Sequence, residues 1–203
     1  MSTFTPASGL VRSRRDRFVD GLNRLDAAQK PGSGVPAYTR WLNRRGARLV
    51  AATGFACDFS PNVITAVSAV LSSAAIALLD LFPPSHGQGF GVAVLIAARY
   101  HTDSSDGQLA RLYQRSSRAG EWLDHVVDAF RTPAIHAGLA VAIIRFNPEH
   151  SWLALVALVY SLITSGQFLS QILASALISK AGREPIRGGT LRSLVLLPTD
   201  PGV

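Results

Sequence analysis

VITAVSAVLSSAAIALLDLF, residues 63–82, is a twenty-residue run with one charged side chain, Asp80, near its far end. An α-helix rises about 1.5 Å per residue, so a run of this length covers about 30 Å, the thickness of a bilayer's hydrocarbon core. Its start is marked by Ser60-Pro61-Asn62: Ser60 is a capping residue, and Pro61 suits a first turn that needs no N–H from it. Its end is marked by Pro83-Pro84-Ser85-His86-Gly87. The stretch reads as a transmembrane helix, and it sets the class of everything around it.

A second span is expected from about Gln88. Its apolar run, Phe90 to Ala98, is too short to cross alone and continues into Arg99, Asp103, Asp106 and Arg111. A third apolar run covers Ala134 to Phe146, after a helix bearing Asp124 and Asp128. Asn147-Pro148-Glu149-His150 is a turn, and a fourth span runs from Trp152 to about Ile178. Leu191 to Leu197 opens a fifth that Pro198 stops. The expected fold is all-α: a polytopic transmembrane bundle with four full spans and a truncated fifth. Lys and Arg collect in the N-terminal arm, in 99–118, and at Lys180, Arg183, Arg187 and Arg192, while the loop at 83–88 and the turn at 147–150 carry none. The positive-inside rule then puts the N-terminus and the acidic segment on the cytoplasmic side of a multi-pass inner-membrane protein.

Bulk composition agrees. Only 16% of the 203 residues are charged and 48% are hydrophobic, against a usual charged share of about 25%. The net charge of +7 is carried by arginine, with lysine only at Lys30 and Lys180. Beside apolar spans this charge suits lipid head groups and loop placement, not nucleic acid. Cys57 is the single cysteine, which excludes an internal disulfide and a multi-cysteine zinc site. Met1 to Arg17 has no apolar core, so no cleaved signal peptide is expected. Residues 1–59 read as a basic arm with a linker at Pro31-Gly32-Ser33-Gly34, followed by the membrane domain at 60–203. Within the arm, Tyr38, Trp41, Leu42, Leu49 and Val50 alternate with Arg40, Arg44, Arg45 and Arg48. That pattern is a basic amphipathic helix for the membrane surface, or an ordinary helix packed on the domain.

The chemistry concentrates between Asp103 and Asp128. Asp103 and Asp106 are three apart and share a helix face; Asp124 and Asp128 are four apart and share another. With a turn between them, two antiparallel helices aim four carboxylates at one point. Such a set is costly near a membrane unless a cation balances it. All-oxygen ligands suit Mg²⁺ or Mn²⁺, and four carboxylates have room for two ions about 4 Å apart. Arg111 is placed to neutralise a phosphate, and Gly107, Ala110 and Gly120 are small enough for close approach. Each acidic pair alone reads equally well as solvated charge in a loop.

The whole segment resembles the signature of the CDP-alcohol phosphotransferase (phosphatidyltransferase) family, D-x2-D-G-x2-A-R-x8-G-x3-D-x3-D, with every fixed position met from Asp103 to Asp128. Ser60-Pro61-Asn62-Val63-Ile64-Thr65 also resembles the family's Pro-Asn-x-x-Thr opening of the first span. The resemblance covers about residues 60–197. It implies six membrane helices, metal binding by Asp103, Asp106 and Asp124, and Asp128 facing the metals as general base. It implies that Gly107 and Arg111 line the CDP site, with Ser117 at a position often held by a hydroxyl residue and Pro61, Asn62, Val63 and Ile64 near the same pocket. The implied reaction moves a phosphatidyl group from CDP-diacylglycerol to a polar alcohol and releases CMP. A homodimer in the bilayer is a further expectation.

His101 and His125 are candidates for contact with substrate, although His125 is turned roughly 100° from the Asp124/Asp128 face. His136 reads as a helix–helix contact. Lys180, Arg187 and Arg192 suit either an acceptor's phosphate or topology alone. Gly87-x-Gly89-x-Gly91 has no preceding strand and a misplaced third glycine, so it is no dinucleotide site. Three other readings remain open: a CDP-choline or CDP-ethanolamine transferase acting on diacylglycerol, a non-catalytic protein of the same fold that lacks the last spans, and a divalent-cation transporter.

Overall fold

The computed structural model describes residues 13–27, 37–114 and 117–180. The Pro31 to Gly34 linker, Arg12, Arg183, Arg187, Arg192 and the run Leu191 to Leu197 lie outside the described residues. Among those described there are helices and no strand: α1 Arg14–Ala27, a π turn Thr39–Asn43 that runs into α2 Arg44–Ala56, α3 Pro61–Leu81, α4 His86–Leu112, α5 Arg118–Phe146 and α6 Trp152–Lys180.

The helix starts follow the capping residues in the sequence. The Ser60 side chain accepts from the Val63 N–H, with Pro61 at the first helical position. Ser85 accepts from Gln88 and Ser117 from Gly120 in the same way. The end of α2 is a Schellman motif: Phe59 N–H donates to Gly54 O at 2.9 Å, Asp58 N–H to Phe55 O, and Asp58 takes a φ of 60°. Asp58 is not a glycine, and the position is backed by an ion pair from Arg17 of α1. That guanidinium holds the Asp58 carboxyl below the usual carboxylate range.

Among the described residues three helices are long and apolar enough to cross a membrane: α3, α5 and α6. The fourth expected span, α4, does not meet that measure of hydropathy. α4 has 27 residues, about 40 Å of helix, but Arg99, Asp103, Asp106 and Arg111 in its second half lower its hydropathy. The third span also begins earlier than Ala134, because α5 is one unbroken helix from Arg118 through Asp124, Asp128 and Pro133.

Side-chain placement in the bundle is inverted relative to a water-soluble protein. Between helices lie Ser68, Ser72 and Ala75 of α3, Gly138, Ala140 and Ala142 of α5, and Ala154, Ala157 and Ser161 of α6. Large apolar residues such as Val70, Leu155, Leu162 and Leu177 point outward. Small residues between helices and large ones outside is the arrangement of a lipid-facing bundle.

α3 packs most extensively on α4, and α5 packs on both α3 and α6. The arm is docked on this bundle: α1 lies on α2, and α2 lies on α4. Leu25, Ala51, Ile64, Leu109 and Leu112 form one buried cluster across these elements. Asn43 is fully buried, with its amide donating to Ser104. Gly46 is the point of closest approach, since a Cβ there would stand 2.6 Å from the His101 ring. The π turn and α2 are together amphipathic, with Ala47, Ala51 and Ala52 of α2 turned to the protein and Trp41 and Leu42 of the turn and Arg45 and Leu49 of α2 exposed.

Candidate metal and phosphate site

Short connections make α3, α4 and α5 alternate in direction, so the start of α3, the end of α4 and the start of α5 share one end of the bundle. The four signature acids lie near that end. Asp103, Asp124 and Asp128 each present a carboxylate oxygen within 4.8 Å of the others. All three are partly buried, and Asp106 is more so. Asp106 feels the charges of Asp124 and Asp103, which places all four acids in one electrostatic cluster.

Each acid has a different set of partners. Asp106 Oδ2 accepts from the Thr65 hydroxyl of α3 at 2.7 Å, and its Oδ1 accepts from the Gly107 N–H. Asp103 Oδ1 accepts from Arg131 Nη2 at 2.8 Å and from the Ser68 hydroxyl at 3.4 Å. Asp128 is ion-paired with the same Arg131. Asp124 Oδ1 is buried and has no hydrogen-bond partner among the described residues. A buried carboxylate oxygen without a donor, inside a cluster of like charges, is expensive unless a cation completes it. The donor set is all oxygen. The residues therefore fit a hard divalent cation.

The residues expected around a nucleotide fall into two groups. Asn62, Ser117 and Gly120 come together: a Cβ on Gly120 would lie 3.0 Å from Ser117 Oγ and 3.4 Å from Asn62 Oδ1. Gly107 is exposed, and Arg111 Nη1 lies 3.6 Å from where its Cβ would be, so this guanidinium covers the glycine beside Asp106. Pro61 opens α3 beside Asn62, and Ala110 is half-buried one residue before Arg111. Val63 is exposed at the bundle surface. Ile64 packs into the core with Leu109 and Leu112.

A sequence model of the CDP-alcohol phosphatidyltransferase family matches residues 59–195. The chain belongs to this family. No curated protein matches it. The CDP-alcohol phosphatidyltransferase match begins just before the α3 cap and takes in all four acids, so the helices that meet at the cluster are those the family shares.

The three candidate histidines each have a contact on a neighbouring helix. His101 Nδ1 lies 3.3 Å from Asn43 O and is turned to α2. His125 meets Phe168 of α6 edge-on, and His136 meets Tyr160 with ring centroids 4.9 Å apart. His136 is thus a contact between α5 and α6, as its position in the third apolar run suggested. Lys180 is the exposed last residue of α6.

Three residues at the cluster carry no label in the sequence reading of the site: Thr65, Ser68 and Arg131. Thr65 closes the Pro-Asn-x-x-Thr opening, and Arg131 follows Asp128 by three and Asp124 by seven, on their face of α5. Those spacings were the available signals. Thr65→Val keeps the shape and removes the donor to a buried carboxylate. A hydrogen bond to a charged group is worth about 1.5–3 kcal/mol, so the variant is expected to melt at a lower temperature in metal-free detergent solution. An unchanged melting temperature would remove Thr65 from the site.

Proposed function

We propose that this chain transfers a phosphatidyl group from CDP-diacylglycerol to a polar alcohol and releases CMP. The observation that carries the reading is the convergence of Asp103, Asp124 and Asp128 beside Asp106, with Arg111 and the Asn62/Ser117/Gly120 group at the same end of the bundle. Asp103, Asp106, Asp124 and Asp128 would hold Mg²⁺ or Mn²⁺, and the bound ion would supply stabilisation of negative charge on the diphosphate.

Arg111, lying over Gly107, binds and orients the CDP phosphates, and the open surface of Gly107 lets them approach the backbone. Asn62, Ser117 and Gly120 bound the nucleotide's side of the pocket, beside Pro61 and Ala110. Asp128 accepts the proton of the attacking hydroxyl. The new bond forms between that oxygen and the phosphorus that carries the lipid alcohol. The bond from this phosphorus to the CMP oxygen breaks, and CMP leaves with its negative charge.

We also propose that α4 crosses the membrane as a fourth span. α3 and α5 are apolar enough to cross, and α4 connects them through short links at both ends. Its polar half is then turned to Thr65, Ser68 and Arg131 and away from lipid. The Lys/Arg pattern supports a cytoplasmic face for the acid cluster, and α1 and α2 of the arm pack against the membrane domain.

The test is metal-dependent CMP release from CDP-diacylglycerol by purified protein in detergent, with Mn²⁺ and a panel of polar alcohols. CMP release with at least one alcohol, abolished by chelator, is the expected result. No release with any alcohol would overturn the reading.

A further inference from the structure

The acid cluster already contains a cation. Arg131 has only 5% of its side chain exposed. Its Nη2 donates to Asp103 Oδ1 at 2.8 Å and pairs with Asp128 Oδ1, and its Nη1 donates to Ser68 Oγ at 3.2 Å. The guanidinium thus lies between two of the acids and is tied to α3, α4 and α5 at once. Arginine cannot lose its proton to make room for another cation.

The carboxylate oxygens divide accordingly. Asp106 lies to one side of the set, with Oδ2 accepting from Thr65 and Oδ1 from the Gly107 N–H. Oδ1 of Asp103 accepts from Arg131, and Oδ1 of Asp128 lies against the same guanidinium as an ion pair. Asp103 keeps its second oxygen, and Oδ1 of Asp124 and Oδ1 of Asp128 are both buried without a hydrogen-bond donor. These three acids are also the ones whose oxygens gather within 4.8 Å. That set suffices for one ion. A second ion would have to share Asp103 and Asp128 with Arg131 and lie beside its fixed positive charge.

We infer that Arg131 is the second cation of this site: its guanidinium takes the place of one divalent ion, and the chain binds one Mg²⁺ or Mn²⁺ where its four acids alone have room for two. The inference rests on the transferase reading only in taking these acids as metal ligands.

The test uses metal-stripped, full-length protein in detergent, with no donor or acceptor present, and follows free Mn²⁺ by electron paramagnetic resonance. The wild type is expected to take up one tight equivalent per chain. Arg131→Gln is expected to take up two, the second at least tenfold tighter than any second equivalent in the wild type. Arg131→Lys keeps the charge and should stay at one. Two tight equivalents in the wild type would overturn the inference, and so would a folded Arg131→Gln variant that binds only one. If Arg131→Gln does not fold, the other two proteins decide: one equivalent in each supports the inference, and two in either defeats it. Absence of Mn²⁺ binding in all three would overturn the metal site and this inference with it. CMP release from a chain that binds two equivalents would defeat the inference and leave the transferase reading standing.

Discussion

Asp128→Asn is expected to lower the rate of CMP release by about 10²–10⁴-fold, the range of a lost general base. Asparagine has nearly the same shape, and its carbonyl can still accept from Arg131. The fold should therefore survive, with a far-ultraviolet circular dichroism spectrum like that of the wild type. Asp103 and Asp124 remain, so Mn²⁺ binding should weaken and not vanish. The informative comparison is single-turnover CMP release at saturating Mn²⁺, where a loss of affinity is compensated and a loss of base is not. Wild-type turnover under those conditions would show that another group takes the proton. Turnover restored by raising Mn²⁺ would make Asp128 a ligand only.

Gly138→Leu is expected to destabilise the bundle by about 1–3 kcal/mol, the usual penalty for overpacking. Gly138 is buried on α5, and a Cβ there would stand 2.9 Å from Ile76 Cγ2 of α3 and within 3.6 Å of an Asp80 carboxylate oxygen. Ile76 is β-branched and stiff, so it yields poorly. Intrinsic helix preference works in the other direction, favouring leucine over glycine by about 0.8 kcal/mol. A fall in melting temperature would therefore report packing alone. The double variant with Ile76→Ala opens the space and should recover part of the loss, a non-additivity expected only of side chains in contact. A melting temperature equal to the wild type's would mean that α3 and α5 do not approach as closely at this point.

The contrast between these two positions shows what the sequence made legible. Asp128 could be read because its information is local: acids at three- and four-residue spacing on two helices, with small residues and Arg111 at fixed offsets. The first span could be read for the same reason, since Val63 to Phe82 is nearly uncharged. Gly138 could not be read, because nothing near it in the chain says that Ile76, sixty-two positions earlier, lies opposite. Arg131 was hidden in a related way. Its partners Asp103 and Ser68 are 28 and 63 residues distant, and an arginine following an acid by three looks like an ordinary helix-surface pair. The early start of α5 was obscured because the acids and Arg131 interrupt the apolar pattern from which span boundaries are judged. In α2 the aromatic and arginine residues suggested amphipathicity, but the alanines between them mark the face that meets α4.

One feature of the bundle bears on how such a protein can diversify. Every described side chain that engages the acids comes from α3, α4 or α5, while α6 meets α5 beside this region, where Phe168 touches His125 and the Ser161 hydroxyl donates to Pro133 O. The acids are thus held by a three-helix unit, and α6 contributes no side chain to them among the described residues. Mutations in α6 can accumulate, be selected for a new lipid or a new alcohol, and be inherited without disturbing the carboxylates. Substrate preference in such a lineage can drift while its reaction stays constant.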